Sequence, residues 1–135
     1  MCDVLKHIKN RIDVEGPLSV SNYMAEALFN PKYGYYMTGD PLGREGDFVT
    51  APEISQMFGE LIGLWSATVW EAIGSPKRIN FIEMGPGRGT LMADAVRSIS
   101  SIADFAKAVD IHLIETSPSL QRRQKRNLKA LGYNI

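Results

Sequence analysis

One cysteine, Cys2, stands in 135 residues, which excludes an internal disulfide and any cysteine-based metal cluster. Net charge is missing too: 15 Lys plus Arg offset 15 Asp plus Glu, so nothing draws the whole chain toward nucleic acid. No apolar run approaches the length of a membrane span, and no repeat or low-complexity tract interrupts the chain. The first residues show neither a signal-peptide core nor the acid-poor, Ser-rich character of a transit peptide. No Ser/His/Asp or Cys/His set for nucleophilic catalysis is visible. The composition fits one small domain in a reducing compartment, short for a complete doubly wound sheet with a substrate lobe.

What the chain does have is a glycine turn. Ile79-Asn80-Phe81-Ile82-Glu83-Met84 reads as an apolar strand, and Gly85-Pro86-Gly87-Arg88-Gly89 leads from it into a helix beginning near Thr90. Glycines at every second position permit a tight turn in which backbone N–H groups at a helix start can face a ligand. The spacing is wrong for a dinucleotide fingerprint, whose third glycine falls where Thr90 stands, and no Gly-Lys-Ser/Thr run supports a P-loop. Glu83, the last inward residue of the strand, repels phosphate and suits a cationic or amine-bearing ligand. A nicotinamide oxidoreductase is disfavoured on both counts; a turn that merely reverses the chain is the plain alternative.

A second strand spans Asp110 to Glu115, separated from the first by enough chain for a crossover helix, so the two form a parallel βαβ unit. Glu115 at its end is placed to accept hydrogen bonds from both hydroxyls of a ribose, or to lie in solvent. The helix expected over residues 118–129 carries Arg122, Arg123, Lys125, Arg126 and Lys129, with Leu120 and Leu128 as its apolar pair. It reads as the solvated outer helix of an α/β sheet in preference to a nucleic-acid contact.

Upstream the pattern is helical. Asp3 to Asp13 is amphipathic, with His7 on its polar, solvated side; Ser19 caps a helix that ends before Asn30-Pro31. Lys32 to Met37 reads as an aromatic turn or short strand, and residues 38–47 as a glycine-rich loop. Thr50 and Glu53 have capping-box spacing at the start of a strong helix. That helix carries Ile54, Met57, Phe58, Leu61, Ile62, Trp65 and Val69 on one apolar stripe, while Gly59 and Gly63 permit close approach of another backbone.

The motif Glu83-Met84-Gly85-Pro86-Gly87-Arg88-Gly89 resembles the first motif of class I S-adenosylmethionine methyltransferases. Read with Gly46-Asp47-Phe48-Val49-Thr50-Ala51-Pro52-Glu53-Ile54-Ser55 and Glu115-Thr116-Ser117-Pro118-Ser119-Leu120, it resembles the MidA family from Gly16 to about Leu128. Pro17 to Met24 and Asn30 to Tyr36 look like that family's opening segment. The resemblance implies a class I methyltransferase fold with S-adenosyl-L-methionine as cofactor, and a protein arginine, in a respiratory complex I subunit, as methyl acceptor. It implies that Glu83, Gly85, Gly87 and Gly89 form the methionine end of the cofactor site and that Glu115 holds the ribose. Asp47 and Glu53 become candidates for gripping a substrate guanidinium through paired hydrogen bonds.

The expected architecture is therefore α/β: an N-terminal helical segment with a substrate-side loop over residues 1–75, then the first βαβ part of a Rossmann-like sheet over residues 76–135. Members of the family are far longer, so a truncated chain is expected, inactive by itself. A non-catalytic remnant or interaction module is the alternative. A bacterial cytoplasm is the expected setting, or the mitochondrion if the chain is eukaryotic.

Overall fold

The computed structural model describes residues 3–38 and 46–133, in two compact units divided near residue 41. The boundary drawn from the sequence falls later, after residue 75. The N-terminal unit contains α1 (Asp3–Glu15), α2 (Val20–Phe29) and α3 (Tyr35–Thr38). Gly16 terminates α1 in a left-handed conformation, φ 87°, with its N–H bonded to Ile12. Ser19 caps α2 by accepting the Asn22 N–H at 3.2 Å.

His7 is not solvated as the sequence suggested: its Nε2 lies 2.9 Å from Glu26 Oε2 across the α1–α2 pair. Arg11 and Asn30 reach the same carboxylate at 2.7 Å each, and these contacts, with the Asn30 bond the largest and His7 next, hold Glu26 below the ordinary carboxylate range. The aromatic segment coils into α3, since the Asn30 side chain accepts the Lys32 and Tyr33 N–H groups and starts a turn.

The larger unit contains α4 (Ala51–Ile54), α5 (Gln56–Ala72), β1 (Ile79–Met84), α6 (Thr90–Ile99), α7 (Ala103–Ala108), β2 (Val109–Ile114) and α8 (Pro118–Lys129). The strands pair in parallel, Ile79 opposite Val109 through Met84 opposite Ile114. This is the expected α/β fragment, with two crossover helices. Ile79, Phe81, Val109, Ile111 and Leu113 point into two small cores, one around Trp70, Ile99 and Phe105, the other around Met92, Val96 and Leu128. Complete burial of such a side chain is worth roughly 1.5–3 kcal/mol, and Ile79, Phe81, Val109 and Leu113, only partly buried, contribute less.

The long helix departs from expectation twice. It breaks at extended Ser55, so α4 and α5 are separate helices. Its buried face carries Gly59, Gly63, Ala67 and Trp70 and packs on α6, the close approach that the two glycines led one to expect. A Cβ on Gly59 would stand 2.6 Å from that of Asp94, so the two backbones can approach only because glycine is there. The apolar stripe lies outward instead: Met57, Leu61 and Trp65 are each more than half exposed.

Candidate functional site

The end of β1 and the start of α6 make the turn. Gly85, Gly87 and Gly89 adopt φ values of 66°, 54° and 77°, a region that favours glycine. The Gly85 N–H bonds Ile114 at 2.9 Å, extending the strand pairing, and the Gly89 N–H closes the turn onto Pro86 at 2.8 Å. Gly89 then occupies the cap position of α6 with no side chain to offer. Glu83 takes over that task, its carboxylate accepting the backbone N–H of Met92 in the first turn of α6.

The other oxygen of that carboxylate, Oε2, is buried and has no hydrogen-bond partner among the described residues. Burial pushes the Glu83 carboxyl up to about 7, and the Met92 N–H draws it only partly back. A buried oxygen left in this way is costly to a folded chain, and a ligand ammonium or protonated amine would relieve it.

Glu53 approaches the turn from α4. Its Oε1 accepts the Thr90 hydroxyl at 2.6 Å, and Arg88 lies 3.8 Å from its Oε2. The capping box expected from Thr50 and Glu53 does not form, because Thr50 makes no side-chain cap and the Glu53 carboxylate is turned toward α6. Thr50, Pro52, Glu53, Glu83, Gly85, Pro86, Gly87, Arg88, Thr90 and Leu91 enclose a cavity of about 240 Å³. Asp47 is exposed and does not line it, so the structure brings Glu53 to the turn and leaves Asp47 outside.

Glu115 follows β2. Its Oε1 accepts the Thr116 and Ser117 N–H groups at 2.8 and 2.9 Å, so the carboxylate is fixed at the entry to α8. It does not line the cavity, but Gln124 joins it to the turn, with Nε2 3.3 Å from Glu115 Oε2 and 2.6 Å from the Gly87 carbonyl. Gly89 is buried against the same glutamine. A larger cavity of about 590 Å³ runs along the uncovered sheet face beside Ile82, His112 and Ile114. The unpartnered carboxylate and left-handed glycines lie at the smaller one, which is where ligand chemistry concentrates.

Sequence reasoning missed four residues here. Thr90 was read as the place where a dinucleotide fingerprint needs glycine and as the start of a helix, and Arg88 was given no role. Gln124 and Asn127 went unnoticed among the charges of α8, although Leu120, Gln124 and Leu128 fall on one helical stripe and a polar residue within an apolar stripe is a signal.

Residues 61–133 match the family of S-adenosyl-L-methionine-dependent methyltransferases. Among curated proteins, the chain is 49% identical over 134 residues to "Protein arginine methyltransferase NDUFAF7, mitochondrial" of Xenopus laevis, covering 98% of this chain and 31% of that protein. It is 45% identical over 123 residues to the Homo sapiens protein of the same name, covering 90% of this chain and 28% of that one. A crystal structure from Burkholderia thailandensis, bound to S-adenosyl-homocysteine, superposes with a TM-score of 0.78 at 28% identity, over 94% of this chain and 33% of that chain. The chain thus spans less than a third of the length of these two curated relatives.

Proposed function

The chain belongs to this family of S-adenosyl-L-methionine-dependent methyltransferases, and from that premise we propose that it forms the cofactor half of a methyltransferase acting on a protein arginine. The observation that carries the reading is the buried Oε2 of Glu83, unpartnered among the described residues, beside three left-handed glycines. That pair fits a ligand with a positively charged amino acid end and rejects a phosphate.

Glu83, Gly85, Gly87 and Gly89 would receive the methionine end, and Glu115 the ribose. When bound, the cofactor supplies a methyl group on sulfonium, an electrophile that a nitrogen can attack. The chain's own contribution is alignment and charge placement. Glu53, at the cavity wall, is the nearer candidate for orienting a guanidinium. It already holds Thr90 and stands near Arg88, so a substrate arginine would have to share it. Asp47 is kept as a candidate only for the outer approach. The arginine acceptor is carried over from the relatives' name, as is a mitochondrial setting, and the complex I subunit from the sequence resemblance.

A second reading, a non-catalytic interaction module, is favoured by the uncovered sheet face, where Ile82, Met84 and Ile114 are 55%, 78% and 53% exposed. Titration calorimetry of the chain with S-adenosylmethionine and, separately, with NAD tests the cofactor assignment. Binding of the first alone supports it; binding of NAD alone overturns it. Labelled methyl transfer to an arginine-containing peptide with repeated turnover would exclude the non-catalytic reading.

A further inference from the structure

Helix α8 presents two carboxamides, three residues apart, to the back of the glycine turn. Gln124 Nε2 donates to the Gly87 carbonyl at 2.6 Å and Asn127 Nδ2 to the Arg88 carbonyl at 3.0 Å. The same Gln124 nitrogen lies 3.3 Å from Glu115 Oε2, and Gln121 one turn earlier donates to the Glu115 backbone carbonyl at 2.7 Å. Gln124 is 2% exposed, and a Cβ on Gly89 would meet its Cγ at 3.1 Å.

We propose that Gln124 is a positioning residue that joins the two halves of the cofactor seat, the glycine turn and the Glu115 carboxylate, into one geometry specific for a ribose-bearing ligand. The proposal rests on the cofactor reading above. A carboxamide suits this place because one NH₂ carries two hydrogens and so serves a carbonyl and a carboxylate at once. The two acceptors also fix which way round the amide sits.

Drawing the Gly87 carbonyl toward α8 has a consequence on the other side of the peptide. In a planar trans unit the following N–H points oppositely, so Gln124 turns the Arg88 N–H away from α8. Asn127 fixes the next carbonyl, and Gly89, whose N–H is already given to Pro86, completes a turn that has little freedom left. Displacing Gln124 would therefore loosen the turn and the Glu115 carboxylate together. The charged group within hydrogen-bonding range of the Gln124 carboxamide is Glu115, just before α8.

The test uses the chain itself in three forms: parent, Gln124→Leu and Gln124→Glu. Amide hydrogen exchange of the ligand-free protein is expected to quicken at least tenfold in Gln124→Leu at residues 88–90 and 116–117 together, with α5 unchanged. Faster exchange at the turn with 116–117 unaffected would overturn the joining role. So would uniform acceleration across the unit, which marks ordinary loss of packing.

If the leucine variant does not fold, the near-isosteric glutamate carries the test. Ionised, it repels Glu115 and the Gly87 carbonyl; protonated, it can donate to one of them. Its exchange at the two segments, relative to parent, should be faster at about pH 8 than at about pH 5.5, where one of the two acceptors regains a donor; a pH-independent ratio overturns the proposal. Titration with S-adenosyl-homocysteine then separates the two levels of argument. No binding by the parent defeats the cofactor reading while the exchange result still decides Gln124. Parental binding weakened at least tenfold in Gln124→Leu, and not additively with Glu115→Gln, supports both.

Discussion

Two carboxylates stand at the ends of paired strands, and the chain equips them differently. Glu115, just past β2, has one oxygen bonded to two backbone N–H groups and the other faced by Gln124. Glu83, on β1, has one oxygen capping α6 and the other buried with no partner among the described residues. The first is held in place and keeps lone pairs for neutral hydroxyl donors; the second is held in place and lacks a cation. The difference teaches how one turn can divide its work, with a pre-positioned acceptor for the sugar and an unmet electrostatic demand for the charged end.

The largest way to break that division is to destroy the turn between them. Gly87→Val puts a β-branched residue at φ 54°, which costs at least about 1–2 kcal/mol in backbone alone and blocks ligand approach to the main chain. S-adenosyl-homocysteine affinity should fall more than about 100-fold by calorimetry, with far-UV circular dichroism retained. Retained affinity would show that the turn is not the seat.

Next in size is the removal of the unmet charge. Glu83→Gln should weaken binding about tenfold or more at pH ~8 and much less at pH ~6, since a charge-assisted bond is worth about 1.5–3 kcal/mol and the parent is largely protonated at the lower pH. The sign in the free protein is opposite. A carboxyl raised to about 7 from 4.5 gives stability that is whole below the unfolded value and lost as pH rises through about 7. The melting temperature of the ligand-free chain should drop between pH ~6 and ~8, by an amount that Glu83→Gln abolishes. Glu115→Gln should cost about tenfold in affinity with no such pH dependence, because its partners are neutral donors. Matching pH profiles for the two variants would erase the distinction between the carboxylates.

How much of this was legible in the sequence follows from range. The turn, both strands, α2 and the span of α8 are local patterns, and Ser19, Gly16, Pro31 and Pro118 punctuate them within a few residues. That the apolar stripe of α5 lies outward was not legible, because amphipathicity says which face is apolar and not what lies against it. Gly59 and Gly63, read from the sequence as a place of close backbone approach, mark the packed side. The capping reading of Glu53, one of the two its spacing and the resemblance left open, fails for a similar reason: its partner Thr90 is 37 residues away, and spacing rules see only three. Gln124 and Asn127 bond carbonyls 37 and 39 residues upstream, contacts that only the parallel pairing of β1 and β2 brings within reach.

Glu53 stands between the two strand-end carboxylates in kind, and its removal should have the smallest effect. One of its oxygens is satisfied by a hydroxyl at 2.6 Å, as Glu115 is satisfied, while the other meets a guanidinium at 3.8 Å, too far for a direct hydrogen bond. Glu53→Gln keeps an acceptor for Thr90 and loses only the longer ionic contact to Arg88. S-adenosyl-homocysteine affinity should therefore change by no more than about two- to fivefold. A much larger loss, measured in the same titration as the Glu83 and Glu115 variants, would mean that Glu53 touches the ligand itself. The contrast between a satisfied and an unsatisfied carboxylate would then have to include a third, substrate-facing one.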